Sequence, residues 1–327
     1  MGESMLKATA LLGLASATLL AGVMTAPARA ADAPPEWAYP VTPPDFKQPP
    51  DDGLPRRVPG STATYTVTQL RDRFIAPVWH PGEHPALPAI VAQGRKPDVY
   101  ACGFCHRADG PGGPENANLA GQPAAYIIQQ MNDFKSGARK TSVAKRNVDL
   151  MISLSKPITD DEIASAAAYF SALKPRAVIK VVETDAVPKT FIMSNHFADA
   201  KSGEKEPLGR RIVEMPENLD SFVNRDTHAM FIAYVPPGSV TQGAALVQTG
   251  GGGKTVQCAV CHGADLKGLG PIPAIAGRSP SYVARQLYDL KSGARAGPSS
   301  VLMKEVVAKL GDDDIVAISA YLATQAP

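Results

Sequence analysis

The strongest constraint on this chain is a repeat. Cys102-Gly103-Phe104-Cys105-His106 recurs as Cys258-Ala259-Val260-Cys261-His262, and a constant offset of 156 then pairs Ala108-Asp109 with Ala264-Asp265, Gly121 with Gly277 and Tyr126 with Tyr282. The pentapeptide Lys135 to Arg139 returns unchanged as Lys291 to Arg295. Beyond it the second copy has a loop four residues shorter, and an offset of 152 aligns Met151 with Met303, Asp161 with Asp313, Ile163 with Ile315 and Tyr169 with Tyr321. Similarity at a fixed period marks a repeated structural unit, so the chain is expected to build one small domain twice.

Each copy reads as helical. Pro123 to Gly137 and Pro280 to Gly293 open on proline and close on glycine, the asymmetry of helix ends. Thr159 with Glu162 makes a capping box ahead of Ile163, Ala167 and Phe170, and Asp312 is read as the cap of the matching helix through Ile315, Ile318 and Leu322. Between the copies, Ala177 to Asp185 and Ala229 to Val235 are β-branched or aromatic runs bounded by turn residues, which predicts short strands. The fold class that follows is mainly α, two tandem helical domains joined by a small β-containing connector.

Residues 1–30 read as a secretory signal peptide, with Lys7, an apolar run from Ala8 to Val23 and Ala28-Arg29-Ala30 as the cleavage site. No later stretch reaches the roughly 20 apolar residues of a membrane span, so no stable span is expected after signal removal. Residues 31–64 form a proline-rich arm whose composition favours extended backbone over a packed core. The remaining boundaries are 65–174 for the first domain, 175–238 for the connector and 239–327 for the second domain. Without the signal, 31 basic and 30 acidic side chains remain, a balance that excludes nucleic acid as a partner.

The four cysteines form two C-x-x-C pairs, each followed by histidine. Two thiols on one tight turn can add to the two vinyl groups of one porphyrin, and the adjacent histidine then lies under the iron. This predicts two covalently attached haem c groups, on Cys102, Cys105 and His106 and on Cys258, Cys261 and His262. A four-thiolate zinc site and a thiol–disulfide pair are the rival readings, set aside because the motif recurs in register behind an export signal. A low-spin electron-transfer haem needs a second axial ligand, and a thioether raises its potential relative to a second imidazole. Met151 and Met303 are the candidates, because they occupy equivalent places 45 and 41 residues after their histidines.

Other candidates lack support from the repeat. Met131 aligns with Leu287, and Met193, Met215, Met230, His196 and His228 lie in the connector; all are read as core or surface residues. His80 and His84 form an H-x3-H pair read as structural, with metal ligation as the alternative. An axial imidazole donates its second ring N–H to an acceptor, and the expected acceptors are a carbonyl within Gly268 to Pro273 and one near Pro111 or Pro114. Tyr126, Tyr282, Arg139 and Arg295 are assigned either to haem propionates or to the helix hairpin.

These residues, with Leu119-Ala120-Gly121-Gln122, Phe134 to Arg139, Asp160 to Ile163 and Ala168-Tyr169-Phe170 and their second-copy counterparts, resemble the dihaem cytochrome c4 family over roughly residues 86–173 and 240–325. The resemblance implies two class-I cytochrome c folds, His/Met-ligated iron and a non-enzymatic, periplasmic electron-transfer role. The implied partners are redox proteins, a periplasmic dehydrogenase as donor and an oxidase or reductase as acceptor, with service as a dehydrogenase's electron-accepting subunit included. A dihaem peroxidase is the alternative, disfavoured because it needs one open iron site. A thiosulfate-oxidising enzyme with a cysteine axial ligand lacks a spare cysteine.

Overall fold

Six helices surround the first Cys pair: α1 (Val67–Arg71) and α2 (Ala89–Ala92) precede it, α3 (Cys102–His106) carries it, and α4 (Ala124–Ser136), α5 (Arg146–Ser155) and α6 (Asp160–Ala172) follow. The computed structural model describes Met1 and residues 33–327, so the signal-peptide reading of 1–30 lies outside the described residues. Pro123 caps α4 at its start and Gly137, at φ 75°, ends it in the left-handed conformation that only glycine adopts without a steric cost. At α6 the Thr159 hydroxyl accepts from the Glu162 N–H while the Glu162 carboxylate accepts from the Thr159 N–H, the capping box legible in the sequence. Ile90, Val99, Ile127, Ile163, Ala167 and Phe170 form the core these helices share.

A connector of short strands follows: β1 (Ile179–Glu183), β2 (Ala186–Pro188), β3 (Thr190–Met193), β4 (His196–Asp199), β5 (Lys205–Pro207), β6 (Val213–Pro216), the helix α7 (Leu219–Val223) and β7 (Phe231–Val235). The two predicted strands are β1 and β7, which pair in parallel with Ile179 opposite Phe231, while β6 runs antiparallel on the other side of β7. β2 pairs with β5, and β3 with β4 across a turn in which Ser194 and Asn195 both have positive φ, the backbone that suits a tight hairpin. Met215 is buried with Val187, Phe197, Leu208 and Val213 in the connector's own core, a packing role.

The second copy comprises α8 (Ser239–Thr249), α9 (Ala259–His262), α10 (Pro280–Lys291), α11 (Val301–Val307) and α12 (Asp312–Thr324). The cap of α12 is Gly311 and not Asp312: Gly311 is the last extended residue and its N–H donates to Asp314 Oδ2 at 2.8 Å. Asp312, Asp313 and Asp314 thereby fall in the first turn, where the helix dipole favours carboxylates. Among the described residues no helix is long and apolar enough to cross a membrane.

The proline-rich arm departs from the expectation of an unpacked segment. Ala38 and Tyr39 are buried in the second copy's core, and the Tyr39 hydroxyl donates to Asp289 Oδ1 at 2.8 Å. The short apolar stretch Trp37-Ala38-Tyr39 inside the prolines explains the docking, and burial together with the Asp289 carboxylate pushes the Tyr39 phenol well above its ordinary pKa. A further small core of Val58, Leu70 and Trp79 forms ahead of the first copy.

The two copies meet through the residues that recur in both. Arg139 and Arg295 pair backbone to backbone in antiparallel register, with Lys140 N–H donating to Ala294 O and Ala296 N–H to Ala138 O, each at 2.8 Å. The Arg139 guanidinium donates to Gln130 Oε1 of its own copy at 2.9 Å and across the seam to Tyr282 OH and Gln286 Oε1 at 3.0 Å. Arg295 does the reverse, donating to Gln286 at 3.1 Å and across to Tyr126 OH at 3.0 Å and Gln130 at 2.8 Å. These tyrosines and arginines thus bond across the seam between the two copies, a role that neither expectation, haem propionates or the helix hairpin, had named.

A second reciprocal pair sits at equivalent positions 122 and 278. The Gln122 side-chain amide donates to Ala274 O at 2.9 Å and accepts from Ala274 N–H at 3.0 Å, and Arg278 reaches the other way to Asn118 O at 3.3 Å and Ala120 O at 3.2 Å. Replacing Gln122 by alanine strands a buried N–H and C=O, so equilibrium unfolding should show a loss of about 1–3 kcal/mol. Gly243 lies on α8 where an added β-carbon would collide with the Ala317 carbonyl of α12. Gly243→Ala should therefore lower stability in the same assay by about 1–3 kcal/mol, the range for overpacking a close contact.

Candidate haem sites

Each Cys pair occupies a short helical turn, so the two thiols and the following histidine are carried on one rigid element. The turn ends at a residue of positive φ, Arg107 at 69° in the first copy and Gly263 at 86° in the second, and the chain then doubles back. Gly112 N–H donates to His106 O at 3.2 Å and Gly268 N–H to His262 O at 2.8 Å, which fixes the return loop to the histidine's own backbone.

That loop supplies the imidazole's partner. His106 Nδ1–H donates to Ala117 O and His262 Nδ1–H to Pro273 O, each at 2.8 Å, leaving both Nε2 atoms for an iron. The second acceptor lies within the predicted Gly268 to Pro273 stretch. The first does not match the prediction of Pro111 or Pro114: the loop runs three residues past Pro114 before a carbonyl faces the ring. The repeat held the answer, since Ala117 and Pro273 stand 156 apart. Proline was a misleading guide because a carbonyl accepts equally well from any residue.

Burial sets the protonation of the site. It holds both histidines below the ordinary imidazole pKa, with the carbonyl bonds opposing, so the rings are neutral at neutral pH. Burial, and secondarily the neighbouring thiol, pushes Cys102 up to about 12 and Cys258 up to about 11. Such thiols are not the thiolates of a redox-exchange pair. All four cysteines are free, and among the described residues no three His, Cys, Asp or Glu ligands converge at either Cys pair, so the two motifs do not combine into a zinc site. Free paired thiols on one turn beside an oriented, neutral imidazole fit the demands of covalent haem attachment.

The two methionines fall on equivalent elements. Met151 lies in α5, which packs on α4, and Met303 in α11, which packs on α10; each is partly buried, Met303 against the second core. The sequence reading missed the residues that brace the sites from outside. Gln122 grips the Ala274 backbone beside Pro273, and Arg278 grips Asn118 and Ala120 beside Ala117, so each copy holds the loop that orients the other copy's histidine. Their chemistry differs, glutamine against arginine, which is why matching residue types across the repeat did not single them out. Gln130 and Gln286 were detectable by the same offset as an identical pair.

Comparison with known proteins finds relatives among the cytochromes c. Residues 240–326 match the sequence profile of the family described as Cytochrome c. Cytochrome c4 of Azotobacter vinelandii is 28% identical over 254 residues, 73% of this chain and 90% of that protein. The thiosulfate dehydrogenase electron acceptor of Thiomonas intermedia is 26% identical over 234 residues, 70% of this chain and 80% of that protein. Cytochrome c-554(548) of Halomonas halodenitrificans is 38% identical over 69 residues, 21% of this chain and 83% of that protein. The chain therefore belongs to the cytochromes c and is cytochrome c4-like over most of its length.

Proposed function

We propose that this protein is an exported, periplasmic carrier that holds one haem c at each Cys pair and passes single electrons between protein redox partners. The duplicated imidazole, hydrogen-bonded through Nδ1 beside a free thiol pair, carries the reading. When bound, haem supplies a one-electron iron couple. Cys102 and Cys105 would tether one porphyrin and Cys258 and Cys261 the other. His106 and His262 would give Nε2 to the irons, and Met151 and Met303 the opposite ligands, the thioether holding the potential higher than a second imidazole would.

The two sites differ in exposure. Val260, between the second pair of cysteines, is 64% exposed, with Val256 and Leu269 also exposed nearby in sequence. Its counterpart Phe104 is buried: the Arg225 guanidinium lies 3.6 Å over its ring and donates to its carbonyl at 2.7 Å. A partner thus meets an apolar surface at the second site and the connector at the first, which assigns exchange with other proteins to the second haem. The relative from Thiomonas intermedia is named an electron acceptor of thiosulfate dehydrogenase, and it supports a dehydrogenase as the donor here, with the present chain as the non-catalytic, electron-accepting subunit. Methionines at both equivalent positions disfavour the peroxidase alternative, which requires an open iron.

Met151→Leu and Met303→Leu should each remove about half of the far-red charge-transfer band of ferric protein and lower one of the two reduction potentials, as loss of a thioether ligand requires. An unchanged band in either variant rejects that methionine as a ligand. Reductive titration of the unmodified holoprotein should take up two electrons per chain without hydrogen-peroxide turnover; sustained peroxide turnover would favour the peroxidase.

A further inference from the structure

We propose that His80, Asp226 and His228 form a binding site for one divalent transition-metal ion, apart from both Cys pairs. One ring nitrogen of each histidine and a carboxylate oxygen of Asp226 lie within 4.8 Å of one another. They come from distant parts of the chain: His80 from the segment before the first copy, the other two from the loop between α7 and β7.

The distances favour ligation over a simple ion pair. His80 Nε2 stands 3.3 Å from Asp226 Oδ1. A charge-assisted N–H···O bond is shorter, about 2.7–2.9 Å, whereas two ligands on a tetrahedral ion with bonds of about 2.0–2.1 Å are separated by about 3.3 Å. Asp226 Oδ1 is already anchored by the His228 backbone N–H at 2.9 Å, so the carboxylate is positioned before any ion arrives. The His80 and Asp226 side chains are 7% and 5% exposed, while His228 is 39% exposed, which leaves an entry from solvent at His228.

The His228 ring is stacked on His80 with centroids 3.8 Å apart and planes 6° from parallel. Parallel rings aim their lone pairs side by side, so ion capture tilts the more exposed His228 ring towards His80. The bond this tilt gives up is His228 Nε2 to Glu83 Oε2, at 2.7 Å, and Glu83 is then free to complete the coordination or to accept from a bound water.

The surroundings favour a cation. Asp226, Glu83 and Asp109 face the cluster with Arg176 as the compensating charge, bonded to Glu83 at 3.1 Å, Asp109 at 2.5 Å and Thr227 O at 2.7 Å. The next arginines, Arg107 and Arg225, are turned to the rings of Phe222 and Phe104. Asp109 Oδ1 and His84 Nε2, whose charges act on each other across the same region, are buried atoms with no hydrogen-bond partner. A donor set of two imidazoles and a carboxylate suits zinc, copper or nickel rather than calcium or magnesium. Because Asp226 adjoins Arg225, an ion here would tie the cover over Phe104 to the segment that carries His80.

The test is calorimetric titration of chelator-treated holoprotein with zinc chloride alone, alongside Asp226→Asn and His228→Ala. The expected result is one zinc ion per chain, an affinity at least about tenfold weaker in each variant, a higher unfolding midpoint with zinc only in the unmodified protein, and an unaltered haem spectrum. Circular dichroism without metal checks that the variants fold; should Asp226→Asn fail, the exposed His228→Ala decides alone. Absence of saturable uptake, or uptake that His228→Ala leaves within threefold of the unmodified protein, overturns the proposal.

Discussion

The hydrogen bond from each imidazole Nδ1 to a backbone carbonyl is the contact on which the rest of this molecule converges. It fixes the tautomer and the plane of the ring, and so the direction in which Nε2 points. The bond is only as rigid as the loop that offers the carbonyl. That loop is fastened twice, to the histidine's own backbone from within the copy and to Gln122 or Arg278 from the other copy. Neither half therefore completes its site alone, a reason for the duplication to persist as one chain.

The seam has a cost as well as a use. Arg139 and Arg278 are buried, and an unpaired guanidinium in such a place would be strongly destabilising. Arg139 and Arg295 share Gln130, Gln286, Tyr126 and Tyr282 so that both terminal nitrogens of each fork have a partner, and Arg278 turns its two terminal nitrogens to carbonyls, leaving the buried Nε atoms of Arg278 and Arg295 without one. Burial pushes the Arg278 pKa down to about 10, still high enough to stay charged at neutral pH. Against this symmetric seam the connector is asymmetric, covering Phe104 and leaving Val260 bare. One chain thus presents a closed first site and an open second one.

Much of this was legible from residues in a row. The Cys pairs, the helices ending at Gly137 and Gly293, the Thr159 capping box and the strands at β1 and β7 depend on local chemistry, and local chemistry is what a sequence displays. The docking of Tyr39 onto Asp289 was not legible, because prolines dominate the composition around a three-residue apolar insert and the partner lies 250 residues away. Ala117 escaped because a backbone carbonyl has no residue signature. His228 and Asp226 escaped because their meeting with His80 depends on the path of the connector, which no spacing rule encodes.

The central claim is a duplicated haem attachment, and covalent chemistry makes it directly measurable. Intact-mass spectrometry of the exported polypeptide, followed by peptide mapping, should find two porphyrin additions, one on the peptide holding Cys102 and Cys105 and one on that holding Cys258 and Cys261. Unmodified thiols, a disulfide within either pair, or a porphyrin on one pair alone would contradict the account.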